Sequence, residues 1–300
     1  MSDFVQQNAT EFSFNTDESW VILSPIELSI KRKIESVGVP LKDWDINIYR
    51  GVLTGYNEAF IISTEKRNEI LANCQSDEER KKTEELIRPI LRGRDIKRYG
   101  YDWANLWLIA TFPSRNYDIE QYPAVKQYLL SFGIERLEQT GAEHIVDGVK
   151  VKARKKTNNK WFETQDSISY WEDFSKQQIV WLELTDLPKF SLVKDIVSLN
   201  TVFFMTGKYL SHIIGFLNSS VITWYFHNCL GARSGAGTNR WLKYTIELLP
   251  IPPVCDVITN LIGNKNIITE CESLKINELC MNLFTLNEEE KAIIRAFTIK

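Results

Sequence analysis

The sequence predicts an α+β fold: a strand-rich middle with flanking helices and a C-terminal helical segment. Three observations predict it. Helix-start signatures, a capping residue followed three positions later by Glu, stand near both ends, at Ser24–Glu27 and Asn287–Glu290, with another at Ser76–Glu79. Short apolar runs of strand length lie between Ile46 and Met205. Gly and Pro punctuate these runs instead of falling inside them.

In chain order, residues 1–16 are polar and read as a linker. Ser24-Pro25-Ile26-Glu27 supplies an N-cap, a proline at the first helical position and a capping glutamate. Ile26, Ile30, Ile34 and Val37 then form one apolar face, and Gly38 with Pro40 stops the helix. Ile46–Tyr49 and Ala59–Ser63 read as two strands joined by the turn Arg50–Asn57. Charged helical sequence follows from Thr64 to Ile87, with Pro89 ending it. Leu106–Thr111 reads as a buried strand, and Pro123–Phe132 as a helix closed by Gly133. Strands are expected around Gln178–Leu184 and Thr201–Met205, a helical region over Tyr209–Asn228, and helices from Asp256 to the end. Trp20, Trp44, Trp107, Trp181 and Trp224 are expected in the core.

Composition narrows the function classes. A 300-residue chain with 44% hydrophobic residues and nine Trp can bury a substantial core. Its net charge of −3 is not that of a uniformly basic nucleic-acid binder, so the distribution of charge matters more than the sum. Five scattered cysteines without a CxxC pair, and three histidines without ligand spacing, give no metal signature and suit a reducing compartment. The start is polar, and the apolar stretch around Leu210–Phe226 is broken by Gly215, Asn218, Ser219 and Ser220. A cytoplasmic protein without a membrane partner is the expectation.

Four segments could carry function. In the turn Arg50–Asn57, Gly51 and Gly55 allow close backbone approach to an anion; Arg50, Thr54 and Asn57 offer hydrogen bonds. A plain hairpin would have the same glycines. Leu91–Tyr99 holds Arg92, Arg94, Lys97 and Arg98, suited to phosphate contact or to pairing with the acidic helix Asp77–Glu85. The most basic stretch is Val149–Lys160, with Lys150, Lys152, Arg154, Lys155, Lys156 and Lys160, plus Asn158 and Asn159 and the aromatics Trp161 and Phe162 behind. Lysines set phosphate register and asparagine matches the adenine edge, although a loop kept soluble by charge would look similar. Last, Gly231–Trp241 combines three glycines with Arg233, Asn239 and Arg240.

No catalytic machinery stands out. The glycines do not form a strand-to-helix cofactor turn, and the single Pro-Pro, Pro252-Pro253, lacks the Asn/Asp before it that an amino-methyltransferase tetrapeptide needs. Neither a Walker lysine loop, an HExxH pair nor a Gly-x-Ser-x-Gly elbow is found. No catalytic or metal-binding residue is expected in this chain.

Taken in order, the motifs resemble a known family. Arg50-Gly51-Val52-Leu53-Thr54-Gly55-Tyr56-Asn57 is similar to the opening of the TaqI-like C-terminal specificity domain of type IIG restriction–modification enzymes and adenine-specific DNA methyltransferases. Pro89–Tyr99 resembles its next signature. Tyr209–Pro253 resembles the end of the target-recognition domain shared with type I specificity subunits, and Ile276–Glu290 the terminal helices. Residues 117–177 match nothing nameable, as expected where such domains vary.

The resemblance implies a division into a linker and connecting helix (1–45), a DNA target-recognition domain (46–253) and a C-terminal helical segment (254–300). It implies a bacterial C-terminal piece of a larger enzyme, with double-stranded DNA and an N-terminal methyltransferase domain or subunit as partners. The parent would methylate adenine N6 with S-adenosyl-L-methionine bound outside this chain, and could also cut DNA. Phosphates would be held by Arg92, Arg94, Lys97 and the lysines of the 150s, and bases read from Lys152–Trp161 and by Arg233, Asn239 and Arg240. Two rival classes stand beside this one: a protein–protein assembly module using the helix Pro25–Val37 and the C-terminal helices, and a small nuclease.

Overall fold

A computed structural model describes residues 23–185, 187–230, 240–263, 265 and 267–297. The N-terminal half runs α1 (Pro25–Val37), β1 (Val39–Pro40), β2 (Ile46–Arg50), α2 (Asn57–Phe60), β3 (Ile61–Ser63), α3 (Thr64–Ala72), α4 (Asp77–Leu86), β4 (Ile87–Leu91), β5 (Ile96–Lys97), β6 (Gly100–Tyr101), β7 (Leu106–Ile109), α5 (Pro123–Leu130) and α6 (Ile134–Leu137). It continues with β8 (Glu143–Val146), β9 (Val149–Lys152), β10 (Gln177–Leu182), β11 (Phe190–Lys194), β12 (Val197–Ser198) and β13 (Val202–Gly207). Then follow α7 (Leu210–Leu217), α8 (Ser220–Tyr225), α9 (Lys243–Ile246), β14 (Pro250–Ile251), α10 (Asp256–Ile262), α11 (Glu270–Leu283) and α12 (Glu288–Ala296). The class is α+β, as predicted.

One antiparallel sheet, ordered β11-β10-β13-β2, organises the molecule. Successive strand side chains point to opposite faces, and here each face meets its own core. Ile179, Trp181, Met205 and Ile48 enter one core, with α1, α7, α8 and the C-terminal helices. Val180, Val202, Phe204 and Val193 enter the other. A sheet buried on both sides needs no polar face, which is why Ile179–Leu182 of β10 and Val202–Met205 of β13 are unbroken apolar runs.

The second core lies between that sheet and another, ordered β12-β4-β7-β3. Helices α3, α4 and α5 pack around it. Glu79 illustrates how helix starts are tied together here. Ser76 caps α4 by accepting from Glu79 N at 3.1 Å, but the Glu79 carboxylate turns away from the cap. It accepts from Gln75 N at 2.7 Å and from Ala124 N in α5 at 2.9 Å. The capping boxes at Ser24 and Asn287 form as predicted. Across the first core, α1 meets α12 through Lys33 and Glu290 at 2.6 Å and through Ser29 and Glu290 at 2.8 Å. Val39 of β1 pairs with Ile251 of β14.

Several expectations are corrected. The strands either side of Arg50–Asn57 do not form a hairpin: β2 pairs with β13 and β3 with β7. Gly51 sits between backbones, so close that an added β-carbon would lie 2.1 Å from Leu199 O. Pro89 lies inside β4, while the helix before it already ends at Leu86. Trp181 and Trp224 are buried, but Trp44 and Trp107 are only half-buried, and Trp20 lies outside the described residues. Trp241, not anticipated, is fully buried and stacks on Phe226 with ring centroids 3.8 Å apart.

Candidate nucleic-acid interface

The basic segments converge at one end of the central sheet, where β2 and β10 finish and β13 begins. Arg50, the last residue of β2, donates from Nε to Asn200 O at 2.7 Å, and its Nη2 lies 3.1 Å from Glu183 Oε2. Glu183 N donates to Thr201 O at 3.2 Å, and Trp241 N to Glu183 O at 2.9 Å. Leu184 bridges Arg240. Burial of Trp241 therefore anchors the exposed Arg240 beside Arg50. Gly93 closes on the same place: a β-carbon there would sit 2.4 Å from Leu182 Cδ2 and 3.5 Å from Thr201 Oγ1. The exposed Arg94 follows it.

From Arg50 the surface runs on to the lysines of the 150s. Gln165 N and Asp166 N both donate to Leu53 O, at 3.1 and 3.3 Å. Burial raises the Asp166 pKa above the ordinary carboxylate value, and the charges of Arg50 and then Lys155 pull it back. Arg154, the residue before Lys155, donates from Nη1 to Thr54 O at 2.9 Å, so the 150s segment is fastened to the turn that leaves Arg50. Asn159 fastens the strip by donating from Nδ2 to Gln165 O at 2.8 Å. Lys155, Lys156, Asn158 and Lys160 remain exposed.

Other candidate residues play different parts. Arg154 is not a surface cation. It is 2% exposed, and its guanidinium donates to four carbonyls: Leu137 O at 2.8 Å, Thr54 O at 2.9 Å, Glu163 O at 2.7 Å and Trp161 O at 2.6 Å. Burial lowers its pKa to about 10. Thr54 is also buried, and its hydroxyl bonds Asn57 Oδ1 at 2.7 Å, so both shape the turn from within while Asn57 stays at the surface. Arg92 forks onto the buried Asp95 at 3.0 and 2.8 Å. Burial opposes ionisation of Asp95, but the hydrogen bonds from Arg92 outweigh it and hold the carboxyl below its usual range. Lys97 is exposed on the β5–β6 hairpin, 3.5 Å from Asp102. Lys152 is exposed at the end of β9. Arg233 and Asn239 lie outside the described residues.

Glu183, Asp166 and Tyr170 are what the sequence did not reveal. Tyr170 stacks on Tyr49 at 4.4 Å and donates to Arg50 O at 2.8 Å, fixing the strand end from which Arg50 projects. Isolated acids and a tyrosine carry no pattern by which to find them.

The profile of the TaqI-like C-terminal specificity domain matches residues 88–251. No curated protein matches. Solved structures that share the fold include two restriction enzymes. The type IIG restriction endonuclease BpuSI is 10% identical with a TM-score of 0.50, covering 87% of this chain and 33% of its own. The type IIL restriction–modification enzyme MmeI, solved in complex with DNA, is 14% identical with a TM-score of 0.51, covering 85% and 35%. This chain spans about a third of the length of each.

Proposed function

The chain belongs to the family of TaqI-like C-terminal specificity domains, and from that premise we propose that it docks on duplex DNA as the target-recognition part of a restriction–modification enzyme. The observation that carries this is the group of exposed cations Arg240 and Arg50, joined through Glu183, with Lys155 and Lys156 following the Arg154 that is bonded to the adjoining turn at Thr54 O, in a chain of net charge −3. Exposed ion pairs such as Arg50–Glu183 are weak in water, so a phosphate can replace the carboxylate. Phosphate contacts of this kind set orientation, and base edges supply the sequence information.

Methylation of adenine N6 and any DNA cleavage would be performed by a partner domain or subunit, into whose site the target base is flipped. S-adenosyl-L-methionine fits that partner better than this chain. Gly51, Gly55 and Gly93 press against Leu199, Gln165 and Leu182 of the chain itself and form no cradle for a cofactor. Among the described residues, no helix is long and apolar enough to cross a membrane, which agrees with a cytoplasmic DNA-acting role.

The test is fluorescence anisotropy of a labelled duplex titrated with the 300-residue chain. With about four phosphates neutralised, affinity should fall on the order of a hundredfold between 50 and 200 mM salt. Binding that ignores salt would exclude electrostatic docking and leave the assembly role as the better reading.

A further inference from the structure

Residues 143–152 form a two-stranded ribbon that, among the described residues, joins no other sheet. Its register pairs Glu143 with Lys152, His144 with Val151, Ile145 with Lys150 and Val146 with Val149. Opposed residues share a face and alternate ones change face. One face therefore carries Glu143, Ile145, Lys150 and Lys152, and all four are exposed. The other face is partly covered through His144, Val146 and Val151. Ile145 is 80% exposed on the first face and Val149 64% on the second.

The stem of the ribbon is rigid and its tip is open. At the stem, Ala153 N donates to Ala142 O and Gly141 N to Arg154 O, both at 2.9 Å. Arg136 Nη1 donates to Lys152 O at 2.8 Å, and the buried Arg154 guanidinium locks the segment behind it. At the tip, Asp147 and Gly148 have φ of 47° and 77°, the left-handed pair that a two-residue hairpin turn requires. Among the described residues, no atom lies within 4 Å of a β-carbon built on Gly148.

We propose that this ribbon enters the major groove of the bound duplex and that its exposed face reads base edges. The inference rests on the DNA-docking function above and names the element that would give it specificity. Dimensions agree: four residues per strand reach about 13 Å from the stem, against a major groove about 12 Å wide and about 8.5 Å deep. The minor groove, about 6 Å wide, would not admit a ribbon carrying side chains. Charge agrees as well, because Lys150 and Lys152 lead directly into Lys155 and Lys156 along the phosphate-docking strip. The face also holds the kinds of group that major-groove edges distinguish. Lys150 and Lys152 donate to guanine O6 or N7, Glu143 accepts from cytosine N4, and Ile145 packs on the thymine methyl. The Glu143–Lys150 ion pair, at 2.6 Å, keeps an acceptor and a donor side by side.

Selection from a random-sequence duplex pool tests this, using the wild-type chain, an Ile145→Ser/Lys152→Gln variant of the ribbon, and Lys155→Gln on the strip. Wild type should enrich a motif. The ribbon variant, short of one cation as Lys155→Gln is, should bind mixed-sequence duplex about as weakly as Lys155→Gln but lose the enrichment tenfold or more, whereas Lys155→Gln keeps the motif. Thermal melting of the ribbon variant should match wild type, since both side chains are exposed, and a lowered melt with motif retained would count against the proposal. Enrichment of the same motif by the ribbon variant overturns it, as does salt-dependent wild-type binding that enriches nothing. Failure of wild type to bind duplex at all would instead remove the docking function on which it rests.

Discussion

Replacing Arg154 with methionine removes a buried cation while keeping much of its bulk, and the outcome follows from what the guanidinium holds. It donates to the carbonyls of Leu137, Thr54, Glu163 and Trp161, residues of three different segments, at 2.6 to 2.9 Å. Hydrogen bonds to a charged group contribute about 1.5–3 kcal/mol each, so four would nominally sum to ~6–12 kcal/mol. Against this stands the desolvation of the guanidinium, which is strong enough to lower its pKa to about 10 and is relieved on substitution. What remains is mainly the cost of leaving carbonyls unpaired, about 1–3 kcal/mol for each that finds no other donor, so that with partial rearrangement the loss is about 3–5 kcal/mol. For a chain of this size that is a fall in Tm on the order of 10 °C. Arg154→Lys should recover only part, because an ammonium has three donors and cannot reproduce the planar fork. Lys155→Met, one residue on but exposed, should change stability by less than about 0.5 kcal/mol. Urea unfolding of the three variants measures this directly. An Arg154→Met variant within about 1 kcal/mol of wild type would refute the structural role given to that side chain.

Other perturbations have equally definite outcomes. Gly51→Ala forces a β-carbon to within 2.1 Å of Leu199 O and should destabilise by about 3 kcal/mol or more in denaturant unfolding, whereas an ordinary surface Gly→Ala effect there would contradict the close backbone packing. Trp241→Ala opens a hole beside Phe226 and should cost about 3–5 kcal/mol; because Trp241 positions Arg240, duplex affinity should also fall at temperatures where the variant is folded. Asp95 and Glu290 both have folded-state pKa values lowered below their ordinary ones; burial opposes this, but bonds from Arg92 and Lys33 respectively prevail. Their stabilisation is therefore fully present above the ordinary carboxylate range and lost as pH falls through the lowered values. Tm should be flat from pH 7 to about 5 and drop below about pH 4, with the drop reduced in an Asp95→Asn/Glu290→Gln double variant.

Local chemistry was the most legible part of the fold. Ser24 and Asn287 cap helices because short side chains satisfy N–H groups that no tertiary context can replace. The strands around Gln178 and Thr201 were legible from their apolar runs, but not their two-sided burial, which depends on helices far along the chain. The segment Ile46–Ser63 misled because adjacent strands with a glycine turn look alike whether they pair with each other or enter different sheets. The ribbon carries a hairpin signal of its own, Asp147-Gly148 between Ile145-Val146 and Val149-Lys150-Val151, while the run of lysines beside it looks the same in a ribbon or a loop. Arg154 could not be separated from Lys155 by charge alone. Its one distinguishing feature is that arginine, with five fixed donors, is suited to binding several carbonyls at once.

The salt dependence of duplex binding by an Arg50→Gln/Lys155→Gln/Arg240→Gln variant goes straight to the claim that these side chains meet the phosphate backbone together. Each lost phosphate contact lowers the slope of log affinity against log salt by about 0.9, so the variant should be shallower than wild type by roughly 2.7. A slope equal to that of wild type, from a variant with an unchanged melting curve, would mean that the cations at the sheet end do not touch DNA.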